Sequence, residues 1–398
     1  MNESFIAKLK KVHLVDLLHP IICFLAIFPA LLYRLKRRHL WLVCEWALEA
    51  QDNGYAFYKY LRTEQPQTDV VYAISSKSAS YAKVARLGEV VEYGSMKHWI
   101  YYLAAEVNIS SQKGGKPNTP VCYLLEVVFP ILKNKRVFLQ HGVTKDDVPF
   151  LHRDRANFWM FCCAAKPEYE FVKAQFGYLP DTIKHLGFCR FDSFYERVDV
   201  DKHLLLIFPT WRMWLERIDD VKSFRESCYY KNWQKLLNSQ AFDALLQKND
   251  MRAVFCVHRN MMKYEHLFTT ASSHIEIKAW NEADIAGLIK NACLMITDYS
   301  STAMDFAYME KPVIYYQFDK EEFRKRHLPL GYFEYERDGF GPVCRNNEEV
   351  IDDFRNIATI DFQMADVYKQ RTKQFFTIRD NKNCERTYLA IREMLQKH

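Results

Sequence analysis

The sequence predicts an α/β protein of two Rossmann-like domains facing each other across a central cleft. Three observations carry this expectation. A chain of 398 residues with 49% hydrophobic content is too long for one ordinary core. From residue 39 onward, short apolar runs rich in Val, Ile and aromatics alternate with longer amphipathic stretches, the pattern of parallel strands joined by crossover helices. The runs also form two series, separated by the charged stretch YERVDVDK at residues 195–202. The expected division is a basic and apolar segment over 1–38, a first domain over 39–200 and a second over 201–398.

Taken in order, the first element is LVDLLHPIICFLAIFPALLY, residues 14–33, between Lys8, Lys10, Lys11 and the cluster Arg34, Lys36, Arg37, Arg38. It has the ~20-residue length of a spanning helix but contains Asp16, His19, Pro20 and Pro29. Basic residues at both ends give no one-sided asymmetry to orient a span. A helical anchor lying on an anionic leaflet is the preferred reading, ahead of a true span and of a buried core helix. No small-residue cleavage site follows, which disfavours a cleaved signal peptide. Strands of the first domain are expected in LWLVCEW, DVVYAIS, EVVEYG, EVNISS, RVFLQHG, FWMFCCAA and TIKHLGF. Those of the second are expected in HLLLIFPTW, MRAVFCVHR, HIEIKAW, CLMITDYS and PVIYYQF.

Composition excludes some classes. The net charge of +6 is a mild bias spread along the chain, and the basic residues do not gather into a patch with interleaved aromatics, so nucleic acid is not an expected partner. Eleven cysteines stand singly except for Cys162 and Cys163, none in a CxxC spacing. They read as small buried hydrophobes in a reducing compartment, without a disulfide framework or zinc site.

In open parallel sheets, ligands bind beyond the carboxyl ends of the strands. Four apolar runs here end in polar groups suited to holding and attacking a phosphate. His141 and Gly142 follow RVFLQ; Pro209, Thr210, Trp211 and Arg212 follow LLLIF; His258 and Arg259 follow AVFCV; Asp298, Ser300, Ser301 and Thr302 follow CLMIT. Each has a duller explanation. A strand-end histidine is often a satisfied core side chain, Arg212 could be a surface cation, and the serines could cap the helix in TAMDFAYME. Capping and phosphate binding are compatible at a helix start.

These residues together resemble the CDP-glycerol glycerophosphotransferase family of teichoic acid and capsule synthesis. The resemblance rests on HG at 141–142, PTWR at 209–212 and DYSS followed by MDFAYMEKPVIYYQFD. DNGYAFYKYL at 52–61, GFCRFDSF at 187–194 and GYFEYERDGFGPV at 331–343 support it. The chain departs from the family pattern where His258 precedes Arg259 in place of proline, and at Cys189, where proline is common.

The resemblance implies the two-domain fold called GT-B and transfer of an alditol phosphate from a CDP carrier, CDP-glycerol or CDP-ribitol, to a hydroxyl of a polyprenyl-linked glycan or polymer. The same resemblance implies peripheral association with the cytoplasmic face of the membrane. It makes His141 the candidate base, with His258 and Arg212 facing the phosphates beside Gly142, Thr210, Arg259, Ser300, Ser301 and Thr302. Asp298 either orients its turn or holds ribose or glycerol hydroxyls, and Trp211 either packs the turn or stacks on cytosine, packing being preferred. The one DxD triplet, Asp199 and Asp201, reads as a solvated linker, so no metal is required and Mg2+ is at most a helper. A sugar-nucleotide glycosyltransferase on the same scaffold is the rival enzyme, and a scaffold protein without chemistry the rival class.

Overall fold

The structure, a computed structural model, describes residues 18–195, 200–218 and 220–397. Lys8, Lys10, Lys11, residues 14–17 of the apolar run and residues 196–199, half of the expected joint with Asp199 of the DxD triplet, lie outside the described residues.

Seven strands form the first sheet: β1 (Trp41–Cys44), β2 (Val70–Ile74), β3 (Val90–Glu92), β4 (Val107–Ser110), β5 (Lys135–Phe138), β6 (Met160–Cys163) and β7 (Ile183–His185). Six form the second: β8 (Asp201–Phe208), β9 (Arg252–Cys256), β10 (Ile275–Lys278), β11 (Ala292–Thr297), β12 (Val313–Tyr316) and β13 (Val343–Cys344). The orders are β3-β2-β1-β4-β5-β6-β7 and β10-β9-β8-β11-β12-β13, with every pair parallel. All twelve runs named from the sequence hold a strand. Only β13 was missed, because two residues leave no run to see.

The strands read as continuous apolar runs because both sheet faces are covered. In β8, Leu205 and Ile207 enter one core while Leu204, Leu206 and Phe208 enter the other. In β1, Trp41 and Val43 face one core and Leu42 and Cys44 the opposite one. Each sheet reverses its order once, between β1 and β4 and between β8 and β11. Such reversals open a crevice at the carboxyl ends of the flanking strands.

Five helices matter for the site: α1 (His19–Lys36), α2 (Asn53–Glu64), α3 (Met96–Ala104), α4 (Thr302–Tyr308) and α5 (Asn383–Lys397). Helix α1 buries only Cys23, Ala26 and Ala30, one narrow stripe. That stripe packs on α3, where Trp99 Nε1 donates to His19 Nδ1 at 3.0 Å and the Tyr33 and Tyr101 hydroxyls meet at 3.1 Å. Phe24, Phe28 and Leu35 on the other side are 73%, 68% and 67% exposed, which overturns the buried core helix reading.

Helix α5 belongs in sequence to the second half but packs on the first domain. Cys384, Ala390, Ile391 and Met394 join Trp41 and Phe57 in one core, and the Tyr388 ring lies 5.8 Å from that of Trp41. Gly187, at φ +81, admits the start of this helix, since a Cβ there would meet Asn383 Oδ1 at 1.7 Å. Ten of the eleven cysteines are buried and Cys228 is exposed; all are free.

Ile391→Ala is expected to destabilise the first domain by about 2–4 kcal/mol, because its side chain is fully buried there. Denaturant unfolding followed by tryptophan emission checks this, and a silent substitution would contradict the placement of α5.

Candidate active site

The second domain contributes the turns after β8 and β11, at its point of order reversal. Arg212 is wholly buried between them. Its Nη2 donates to Asp298 Oδ2 at 2.8 Å, its Nε to Asp319 Oδ2 at 2.8 Å, and its Nη1 to the Thr210 carbonyl at 2.7 Å. The rings of Tyr229, Tyr299 and Phe323 each lie 5.0 Å from its guanidinium carbon. Asp298 also accepts from the backbone N–H of Thr210 and Tyr299, at 2.8 and 2.6 Å. No donor of Arg212 is turned to the cleft, so its expected phosphate contact is corrected: it locks two turns together. Of the two readings of Asp298, the structure favours orienting the turn.

The locked turns present Thr210, Ser300, Ser301 and Thr302. Ser300 Oγ accepts from Thr302 N at 3.2 Å and lies 3.0 Å from Thr302 Oγ1. Ser301 makes no side-chain cap bond to α4, so its hydroxyl is not held by the helix. Thr210 Oγ1 is buried without a partner among the described residues. Gly142 has a steric role: a Cβ there would stand 2.6 Å from Ser301 Oγ, so glycine lets the two domains touch.

The first domain supplies His141 from the loop after β5. Gln140 before it holds φ +67, a conformation of uncommon backbone strain for a non-glycine residue. Glu168 stabilises this turn by accepting from Thr144 N at 2.6 Å and from the Gln140 amide at 3.3 Å. His141 Nδ1 lies 2.8 Å from Asp52 Oδ2, and its side chain is 61% exposed to the cleft. Asp52 caps α2 by accepting from Asn53 N at 2.7 Å, so the helix start fixes the carboxylate.

Confinement pulls the His141 imidazole down, but the hydrogen bond and charge of Asp52 outweigh it and hold its pKa above the ordinary value. Burial by itself would raise Asp52; His141 and Arg190 reverse this and hold its carboxyl below the usual range. Donation of Nδ1–H to Asp52 leaves the lone pair on Nε2, the arrangement of a general base.

Arg190, on the turn after β7, closes the network. Its Nη1 donates to Asp52 Oδ1 at 2.9 Å and to the His141 carbonyl at 3.1 Å. Its Nη2 and Nε donate to Asp305 of α4 at 2.8 and 3.2 Å. Behind Asp52, burial and then the Asp52 charge raise the Glu45 carboxyl.

His258 has the complementary state. Its Nδ1 accepts from Asn260 N at 3.2 Å, which leaves the proton on Nε2, and desolvation, helped by the charges of His141 and Arg259, lowers its pKa to about 3. It is therefore a neutral donor at physiological pH. Arg259 turns to the first domain, where Nη1 pairs with Glu49 at 2.9 Å and the guanidinium lies over Trp46 at 5.4 Å. Arg259 lines neither of the chambers at the cleft and forms a cross-cleft tie between the domains.

Two chambers meet at these histidines. One, of about 330 Å³, is walled by Phe208, Trp280, Asp284 and Gly287 with Asp52 and Arg190. The other, of about 540 Å³, is walled by Lys113, Thr119, Phe150, Trp211 and His327. Gln112, His141, His258, Ser300 and Ser301 line both, and form the waist between them. Trp211 stacks near His258 at 6.1 Å between centroids. Among the described residues, no three His, Cys, Asp or Glu side chains are grouped to hold a metal ion. Asp201 of the DxD triplet pairs with Arg252 at 3.0 Å.

Sequence reasoning thus reached His141, His258, Ser300 and Ser301 at the waist, Gly142 and Thr210 in the larger chamber and Thr302 in the smaller, whereas Arg212 is buried behind the turns and Arg259 lines neither chamber. It missed Asp52, Gln112, Arg190, Trp280 and Asp305. The signal existed for three of these, since Asp52, Arg190 and Asp305 stand inside the quoted segments DNGYAFYKYL, GFCRFDSF and MDFAYME.

Comparison with known proteins gives a consistent picture. Residues 25–393 match the family described as CDP-Glycerol:Poly(glycerophosphate) glycerophosphotransferase. The chain is 30% identical over 370 residues to the minor teichoic acid biosynthesis protein GgaB of Bacillus subtilis strain 168, covering 90% of this chain and 40% of that protein. It is 25% identical over 160 residues to a teichoic acid glycerol-phosphate transferase of Staphylococcus aureus, covering 40% of this chain and 37% of that one. It therefore spans less than half the length of the curated relatives it matches. Among solved structures, the wall teichoic acid polymerase TagF superposes with a TM-score of 0.66 at 14% identity, covering 96% of this chain and 97% of that chain. A putative UDP-N-acetylglucosamine 2-epimerase of Listeria monocytogenes reaches 0.55 at 13% identity, covering 90% of this chain and 97% of that chain. At these identities the two likenesses establish the two-domain fold alone.

Arg212→Ala is expected to cost about 3–5 kcal/mol of stability by stranding two buried carboxylates. Ser301→Ala should leave the unfolding midpoint almost unchanged. Thermal melts of both variants check the contrast, and a stable Arg212→Ala protein would return Arg212 to the substrate.

Proposed function

This chain belongs to the CDP-glycerol:poly(glycerophosphate) glycerophosphotransferase family, and on that premise we propose that it transfers glycerol phosphate from CDP-glycerol to a hydroxyl of a membrane-linked teichoic acid or glycan acceptor, releasing CMP. The observation that carries this reading is the waist, where a base fixed by a carboxylate faces a neutral donor imidazole and two hydroxyls. Glycerol is preferred to ribitol because the family description and the Staphylococcus aureus relative both name glycerol phosphate. A TagF variant was soaked with CDPG, which supports the same donor class.

The acceptor oxygen forms a bond to the β-phosphorus as its proton passes to His141 Nε2. The bond from that phosphorus to the bridging oxygen breaks, and CMP leaves with the electron pair. CMP is a stable anion, so the departing side needs charge stabilisation more than a proton. His258 Nε2–H and the Ser300 and Ser301 hydroxyls are the donors placed to give it. The nucleoside fits the smaller chamber, where Trp280 offers a ring face and Asp284 a hydroxyl acceptor. The acceptor then enters through the larger chamber and meets His141 from the opposite side.

The chain that leaves Thr119 in the wall of the larger chamber runs on into an exposed apolar row. Leu124, Val128, Phe129 and Ile131 are 47–71% exposed, and Leu125 between them packs into the same core as Cys23 and Ala26 of α1. The exposed rows of α1 and this segment, bordered by Arg34, Lys36, Lys133 and Lys135, suit an anionic bilayer surface. Because α1 is pinned to α3 near both ends, a helix lying in the membrane plane fits better than a span.

The test is CMP release from CDP-glycerol, with CDP-ribitol and UDP-N-acetylglucosamine in parallel, with and without a lipid-linked acceptor and with and without a chelator. Acceptor-dependent release from CDP-glycerol is expected, unaffected by chelation. It should fall by about 10²–10⁴ in His141→Ala and as pH drops through a pKa above the ordinary histidine value. Turnover of the UDP-sugar alone would overturn the assignment. Replacing Phe24 and Phe28 by Ser should weaken sedimentation with anionic vesicles while leaving turnover of a soluble acceptor intact.

A further inference from the structure

We propose that Arg190 is a positioning residue that ties the basicity of His141 to the seating of the second domain. The proposal rests on His141 serving as the base in the reading above. A single guanidinium, only 13% exposed, engages three groups whose relative places define the waist. One prong reaches Asp52 Oδ1, the oxygen that His141 does not use, and the His141 carbonyl. The other side grips both oxygens of Asp305, one turn into the helix that follows Ser300 and Ser301. Its own backbone N–H is held by Asn53 Oδ1 at 3.0 Å, beside the Asp52 cap. The base, its orienting carboxylate and the helix carrying the serine turn are therefore fixed to one rigid planar fork.

The consequence is electrostatic as well as geometric. Arg190 withdraws Asp52 from His141 by sharing its charge, and Asp305 in turn neutralises Arg190. His141 is faced by Asp52 and Arg190 on one side, by Asp305 of α4 on another and by His258 across the waist. Glu45 lies behind Asp52, and Glu168 behind the loop. Seating α4 against Arg190 thus sets how much of the Asp52 charge reaches the imidazole. The exposed Arg259–Glu49 pair also joins the domains, but it touches neither His141 nor its carboxylate, so it carries no such coupling.

The experiment is an NMR titration of the His141 ring in the full chain, paired with the pH profile of CMP release. Arg190→Gln should raise the His141 pKa by about 0.5–1 unit and Asp305→Asn should lower it by a similar amount, because they remove opposite charges. The acidic limb of the profile should move with each. Arg190→Lys keeps the charge and loses the fork; its pKa should stay near that of the unmodified protein while kcat falls about tenfold or more and the donor KM changes little. Should Arg190→Gln fail to fold, Asp305→Asn and Arg190→Lys carry the test. Unchanged titration in Asp305→Asn, or shifts of the same sign in Arg190→Gln and Asp305→Asn, would overturn the proposal. The titration needs no turnover, so a protein that releases no CMP but shows opposed shifts would sink the transferase reading and leave the coupling standing.

Discussion

The second half of the site depends on a guanidinium removed from water between two carboxylates. Arg212 has no exposed surface, and neither does Asp298. Burying a charge is costly unless paired and hydrogen-bonded, and breaking such a pair costs more than the pair itself contributes. The arrangement persists because every Arg212 nitrogen finds an oxygen and three aromatic rings surround its carbon. The effect is to tie the ends of β8 and β11, the strands flanking the order reversal, to Asp319 beyond β12. Thr210, Ser300 and Ser301 are held at the cleft by residues that never enter it.

The first half solves a similar problem by different means. The loop that carries His141 leaves β5 through a strained residue, Gln140, and the strain is offset by Glu168, whose carboxylate collects backbone donors from the loop and from Ala164. Desolvation raises the Glu168 pKa to about 7, despite those bonds. The Asp52 cap and the Arg190 fork then set the direction of His141. Two histidines that look alike in sequence become opposites through their Nδ1 partners. A carboxylate at Nδ1 leaves one with an Nε2 acceptor, and a backbone N–H at Nδ1 leaves the other with an Nε2 donor.

Much of this is legible in the order of the amino acids. Twelve apolar runs predict twelve strands, because a parallel strand buried on both faces must be apolar along its length. The rule that ligands gather at strand carboxyl ends points to His141, His258 and the DYSS turn. What fails is the assignment of charge. Arg212 and Arg259 stand at strand carboxyl ends just as the histidines do, and a sequence does not say whether a cation faces a cleft or a carboxylate 107 residues away. Asp52, Arg190 and Asp305 escape notice for the same reason. They are 138 and 115 residues apart along the chain and form one network only when folded.

The sequence by itself determined the period of the strands, the two series of runs, the apolar run near the amino terminus and the residue types available at each strand end. These follow from local patterning and from the need to bury apolar surface, which act over a few residues at a time. Only the tertiary structure decided which of those residues touch. It returned α5 to the first domain, placed Gly142 against Ser301 and joined Asp52 to Asp305 through Arg190. Protonation and hydrogen bonding depend on distance and exposure in space, and these exist only once the two sheets are set face to face.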